Sequence, residues 1–255
     1  MLAGAIGLCV GSFLNVVIYR VPLGMSVVAP PSHCPKCDSP IRWYDNIPVL
    51  SYLILGGKCR RCGEPISFRY TAVEIGNCLL WLACVWRFSA DSLPYALLCL
   101  PATAALVCVF CIDWEHQIIP DRFQILLGVL AIGATVFDPS PVSGGSQWWS
   151  HLIGLAAGFG VFFLLAVVAG KILGRDALGG GDIKLCAVMG LFLGWQKLLL
   201  SVLIASVAGS VIILLLRSRR RENPEFPFAP FLVSGFLISL LFGDSIMIWY
   251  LSLLF

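Results

Sequence analysis

Charge is the scarcest property of this sequence. Aspartate, glutamate, lysine and arginine make up only 12% of its 255 residues, 59% are hydrophobic, and the mean hydropathy is +0.91. Too few charges remain to solvate a globular domain, so a soluble protein is excluded and an integral membrane protein is expected. A formal net charge of only +3 gives no reason to expect a nucleic-acid partner. The opening apolar run has no basic residues before it and no small-residue cleavage pattern after Tyr19. It therefore reads as a retained helix rather than a signal peptide.

What is abundant is apolar runs. They fall at 2–19, 71–88, 93–112, 123–137, 149–170, 185–195, 197–216 and 228–242, with 244–255 as a possible further partial span. The expected fold is an all-α polytopic membrane protein of about eight transmembrane helices. Residues 1–20 form the first helix, residues 21–70 a small cytoplasmic zinc-binding insert between helices 1 and 2, and residues 71–255 the helical core.

Basic loops resist translocation. With the N-terminus outside, Arg20, Lys36, Arg42, Lys58, Arg60, Arg61, Arg69, Arg122, Lys171, Arg175, Lys184, Arg217, Arg219, Arg220 and Arg221 are cytoplasmic, 15 of the 17 basic residues. Only Arg87 and Lys197 fall outside. The 138–150 loop has no basic residue and carries Trp148 and Trp149, an outer-face pattern. The "RSRRREN" run at 217–223 adds to this bias and suits anionic headgroups.

The insert contains "HCPKCDSPIRW" and "GGKCRRCGEPIS". Cys34 and Cys37 form one CxxC pair and Cys59 and Cys62 another, 21 residues apart. Two such knuckles supply the four thiolates of a tetrahedral zinc, and Gly63 suits the turn after the second. A thioredoxin-type pair would need a βαβ context that is missing, and disulfides are unusual on a cytoplasmic face. With four thiolates present, His33 is not needed as a ligand. The insert is too small for a large apolar core, so the metal holds it together. Cys9, Cys78, Cys84, Cys99, Cys108, Cys111 and Cys186 lie in apolar runs and read as packing residues.

Few carboxylates lie near the membrane. Asp113 ends the third helix and Asp182 precedes the sixth, 69 positions later, and the charge bias places both on the cytoplasmic face. If they meet, like charges cannot both ionise readily; a shared proton then leaves one base to activate water and one acid to protonate a leaving amine. Gly179, Gly180 and Gly181 let backbone approach a substrate strand and permit positive φ. Lys184 either orients Asp182 or is an ordinary basic anchor. Pro120 and Asp121 introduce the next helix, the aspartate at the favourable end of its dipole. Glu115 and His116 are expected to face water, Glu74 to make a polar contact at the membrane interface, and His151 and Asp244 to lie on the outer side. The stretch "GGGD" alone is weak evidence; Asp113 at matching depth strengthens it.

The chain closely resembles the type IV prepilin peptidases, membrane aspartic proteases of the GxGD type also represented by presenilin. The resemblance rests on "GSFLNVVIYRVP" (Gly11–Pro22), both CxxC knuckles, "RWYDNIPVLSYL" (Arg42–Leu53), "RYTAVE", "IDWEHQIIPD" (Ile112–Asp121) and "GGGDIKL". It implies catalytic aspartates at Asp113 and Asp182 and zinc ligands at Cys34, Cys37, Cys59 and Cys62. It also implies a methyl transfer from S-adenosylmethionine that involves Gly57 and Lys58; the chain has no Rossmann signature of its own. The implied substrates are prepilins or pseudopilins with a short basic leader followed by a hydrophobic helix, cut at the cytoplasmic edge of the inner membrane. A proton-coupled transporter using the Asp113 and Asp182 pair, or a non-enzymatic assembly scaffold, is the alternative. The lack of an inverted repeat and of midplane carboxylates argues against transport.

Overall fold

In the computed structural model, residues 2–142, 148–173, 179–217 and 227–254 are described. Arg175, Arg219, Arg220, Arg221 and positions 143–147 of the proposed outer loop lie outside the described residues.

Nine α-helices and one 3₁₀ turn make up the described secondary structure. They are α1 (Leu2–Arg20), the turn Trp43–Asn46, α2 (Leu50–Ile54), α3 (Phe68–Phe88), α4 (Leu93–His116), α5 (Asp121–Phe137), α6 (Trp148–Leu173), α7 (Gly180–Leu193), α8 (Trp195–Arg217) and α9 (Ala229–Leu254). Among the described residues no strand is present, only two isolated bridges inside the insert. Among the described residues five helices are long and apolar enough to cross a bilayer: α1, α4, α6, α8 and α9. Of the other long helices, α3 carries Arg69, Glu74 and Arg87, while α5 and α7 have 17 and 14 residues.

Two boundaries differ from expectation. The runs 228–242 and 244–255 are one helix, α9, and Asp244 sits inside it without breaking it. The runs 185–195 and 197–216 are separated by a single residue, Gly194, whose φ of +78° turns α7 directly into α8.

Lipid offers no hydrophobic force between helices, so small residues and interhelical hydrogen bonds join them. A Cβ on Gly11 would come within 2.7 Å of the Glu74 Cα, so α1 lies against α3 at backbone distance. Gly154 and Gly190 bring α6 and α7 equally close. Asn77 Nδ2 donates to Gly7 O at 2.7 Å and Asn15 Nδ2 to Tyr70 O at 3.0 Å, fixing the register of α1 on α3. Helix α4, the most enclosed of the five spans, packs against α1, α3, α5 and α9.

Asp244 remains helical because its charge is matched. Arg87 Nη2 donates to its Oδ2 at 2.9 Å, and Lys197 Nζ lies 3.3 Å from its Oδ1. These two cations are the ones that the charge pattern leaves on the outer side. The Ser140 hydroxyl also donates to Asp244, and Asp138 accepts from Ser140 N–H at 3.0 Å. His151 is fully buried in the first turn of α6, its Nδ1 3.0 Å from Leu191 O and its Nε2 3.5 Å from Asp138. One polar cluster thus clamps the ends of α3, α5, α6 and α8 to α9. Removing one member of a buried pair leaves the other ion uncompensated. Asp244→Ala is therefore expected to lower stability by about 3–5 kcal/mol in denaturant unfolding in detergent, with Asp244→Asn intermediate.

Candidate active site and metal centre

The four insert cysteines converge. Their sulfur atoms lie within 4.8 Å of one another, and Cys34 Sγ is 3.8 Å from Cys62 Sγ. A tetrahedron with Zn–S bonds of about 2.3 Å has edges of about 3.8 Å, so the donor set and the geometry both fit zinc.

The two knuckles are built alike. Cys34 N–H donates to Ser39 O at 3.0 Å and Cys59 N–H to Glu64 O at 2.8 Å. Asp38 N–H returns to Cys34 O and Gly63 N–H to Cys59 O. Positive φ occurs at the same step in each, 51° at Asp38 and 73° at Gly63, and bridges His33–Pro40 and Lys58–Pro65 close both. Aspartate tolerates the left-handed region better than most residues, which explains its place opposite the glycine. His33 stays outside the sulfur cluster, its Nδ1 3.2 Å from Pro31 O. The backbone N–H groups of Cys62 and then Arg61 hydrogen-bond the Cys59 sulfur and lower its thiol pKa to about 6. The same N–H groups favour the thiolate, the form a metal binds.

At the opposite end of the bundle from the Asp244 cluster, Asp113 and Asp182 come together as electrostatic neighbours. Asp113 occupies the last turn of α4 and is 6% exposed. The helix stops because Gln117 turns left-handed, φ 54°, and its N–H returns to Asp113 O at 3.0 Å. The N–H of Ala229, the first residue of α9, donates to the Asp113 carboxylate. Asp182 lies in the first turn of α7 and accepts from Gly179 N–H. Each carboxylate is thus met by the N-terminus of a helix, where unpaired N–H groups favour negative charge. One oxygen of each, Asp113 Oδ2 and Asp182 Oδ1, is buried with no hydrogen-bond partner among the described residues. Two such oxygens can share a proton and hold a nucleophile.

Several neighbours depart from the sequence expectations. Lys184 does not reach Asp182: its Nζ binds Asp121 Oδ1 at 2.8 Å, and both side chains are more than half exposed. Asp121 does begin α5, behind Pro120 as the N-cap residue, as expected. None of Gly179, Gly180 and Gly181 has positive φ; Gly179 is extended at φ −66° and the next two are helical. Their contribution is space. A Cβ on Gly181 would press on the Ile119 side chain at 3.2 Å and one on Gly179 on Asp182 Oδ2 at 3.3 Å, whereas Gly180 has nothing within 4 Å. Gly57 does need positive φ, +68°, and packs on the Tyr52 ring, where a Cβ would sit 3.0 Å from it. A structural demand therefore accounts for Gly57 at the approach to the second knuckle.

Two supporting contacts were not anticipated, and a third, the polar contact expected of Glu74, finds its partner. Gln124 is 5% exposed, and its Nε2 donates to Gly181 O at 3.2 Å, holding the peptide just before Asp182. Arg69, in the first turn of α3, pairs with Glu115, two residues beyond Asp113. Glu74 is buried and accepts the Val49 N–H at 2.8 Å, tying the insert to α3. A glutamine three residues after the "PD" step was the available signal for the first; the others depend on which way each helix faces.

Fold and site together define a helical membrane protein with a buried carboxylate pair at one end and a cluster of four cysteines that fits a metal. Two family profiles match: the Bacterial Peptidase A24 N-terminal domain over residues 5–88 and the Type IV leader peptidase family over residues 99–214. The chain is 44% identical over 223 residues to a prepilin leader peptidase/N-methyltransferase of Myxococcus xanthus, covering 86% of this chain and 64% of that relative. Relatives of the same name in Pseudomonas putida and Bacillus subtilis are each 36% identical, with 96% and 97% of this chain and 91% and 96% of theirs aligned. No solved structure matches the chain. The chain belongs to the type IV leader peptidase family.

Proposed function

We propose that the protein is an aspartic endopeptidase of the inner membrane that removes the basic leader from type IV prepilins or pseudopilins at the cytoplasmic membrane edge, then methylates the new N-terminus from S-adenosylmethionine. Eight helices span the bilayer in this reading, the N-terminus lies outside, and the insert and both aspartates face the cytoplasm. The observation that carries it is that Asp113 and Asp182, from two separate helices, are electrostatic neighbours, each with one buried oxygen that has no hydrogen-bond partner among the described residues.

The pair holds one proton. The ionised carboxylate takes a proton from water, which attacks the scissile carbonyl; the protonated one hydrogen-bonds that carbonyl oxygen and the amine leaves carrying a proton from the pair. Neither a metal nor a covalent enzyme intermediate enters this route. Gly180 leaves room for an extended substrate strand beside Asp182. Zinc, held by Cys34, Cys37, Cys59 and Cys62, supplies structural cross-linking of the insert. Gly57 and Lys58, at the approach to the second knuckle, are assigned to methyl transfer by resemblance to the family.

Gln124 acts through Gly181 rather than on substrate. Gln124→Leu, and the nearly isosteric Gln124→Glu, which loses the N–H donor, are both expected to lower kcat by about 10–100-fold with little change in KM, because a small displacement of Asp182 spoils alignment. Steady-state cleavage kinetics check this. The proposed activity itself is tested by incubating purified protein with a tagged prepilin and measuring the product masses. Loss of the leader, followed by a mass gain of one methyl group when S-adenosylmethionine is added, is expected. An uncut prepilin would refute the peptidase reading.

A further inference from the structure

Helix α2 is built inside out. Its inward residue is Ser51, which is buried and donates to Tyr44 O at 3.1 Å. Leu50, Leu53 and Ile54, spaced i, i+3, i+4 and so on one face, are 56%, 67% and 77% exposed. Ile47 and Trp43, just before, are exposed as well. A face turned to water would carry polar side chains there.

Two contacts set the depth of this face. Val49, the residue before α2, has a φ of +61°, rare for a β-branched side chain, and its N–H is held by Glu74 at 2.8 Å. Glu74 lies six residues into α3, which is about 9 Å along the helix axis from Phe68. The Tyr52 ring meets the ring of Phe68, itself exposed, at 6.1 Å, so the apolar face of α2 continues onto the start of α3. Around it stand exposed Arg42, Lys58, Arg60 and Arg61; the one acid in residues 41–62, Asp45, is taken by Arg60 at 2.6 Å.

We infer that Ile47–Ile54 is an interfacial foot: its apolar face enters the headgroup and acyl boundary of the bilayer that α3 enters, while the surrounding arginines and lysine bind anionic phospholipid headgroups. Continuity with α3 and complementary charge select a lipid surface as the occupant. The foot keeps the zinc unit against the membrane, within reach of a chain that leaves it. This inference rests on membrane embedding alone and is independent of the roles given to Asp113 and Asp182.

The test uses the full chain in nanodiscs of phosphatidylglycerol and phosphatidylethanolamine, with photoreactive benzoylphenylalanine placed at Leu53, at Ile54 or, as a solvated control, at Lys36. Zinc content verifies that each variant is folded. Phospholipid adducts at Leu53 and Ile54 are expected at about fivefold or more the yield at Lys36, and replacing phosphatidylglycerol by phosphatidylcholine lowers them. Yields equal to the control, or adducts only to added prepilin or to a second copy of the chain, would overturn the inference.

Discussion

Cys59→Ser is expected to empty the metal site and unfold the insert while leaving the helical bundle assembled. Structural zinc contributes roughly 10–16 kcal/mol in small zinc modules, and here no large apolar core stands behind it. Within residues 21–70 the buried apolar residues are Val21 and Cys34, and Cys34 is itself a ligand. The bundle has its own supports: Asn15 and Asn77 across α1 and α3, and Asp244 at the far end. Metal analysis should fall from one zinc per chain to none, and limited proteolysis should cut within the insert but not within the spans. Acid is expected to act in the same direction. Only thiolates bind the metal, so protons compete with zinc for the four sulfurs and the affinity falls as the pH falls. Folded protein that carries no metal and has four freely reactive insert thiols would refute this account.

Asp113→Asn and Asp182→Asn are each expected to reduce prepilin cleavage by about 10²–10⁴-fold, the usual contribution of a positioned acid or base. Asparagine keeps the size of the side chain and an oxygen to accept from Ala229 N–H or Gly179 N–H, so the local fold has no reason to change. What it loses is the ionisable proton. Substrate binding, which draws on the leader and the hydrophobic helix, should alter KM little, placing the loss in kcat. Methylation of a precut substrate should persist, because Gly57 and Lys58 are untouched. A variant that folds and still cleaves at the wild-type rate would remove that aspartate from the mechanism.

How much of this could be read before the structure depended on how local each feature is. The four-cysteine cluster was legible because a knuckle is closed by residues within seven positions, and the two copies share C-x-x-C and a proline three residues after the second cysteine. That Asp113 and Asp182 would lie on one face followed from the distribution of arginine and lysine. Rotation about the helix axes was not legible. Gln124 reaches Gly181 across 57 positions and Arg87 reaches Asp244 across 157, and such pairs depend on which face each helix turns inward. The break suggested at Asp244 failed for a related reason: a lone carboxylate in an apolar run looks like a boundary until Arg87 and Lys197 are placed beside it. Lys184 follows Asp182 by two positions, and at i and i+2 the two do not face each other on a helix.

The claim at the centre is that Asp113 and Asp182 work as one proton-sharing unit. The most direct test is a double-mutant comparison of single-turnover cleavage rates for a tagged prepilin, using Asp113→Asn, Asp182→Asn and the double variant, with product masses recorded. If the pair is a unit, the double variant should be no slower than either single one. Losses that multiply in the double variant, or a single variant that retains the wild-type rate, would contradict it.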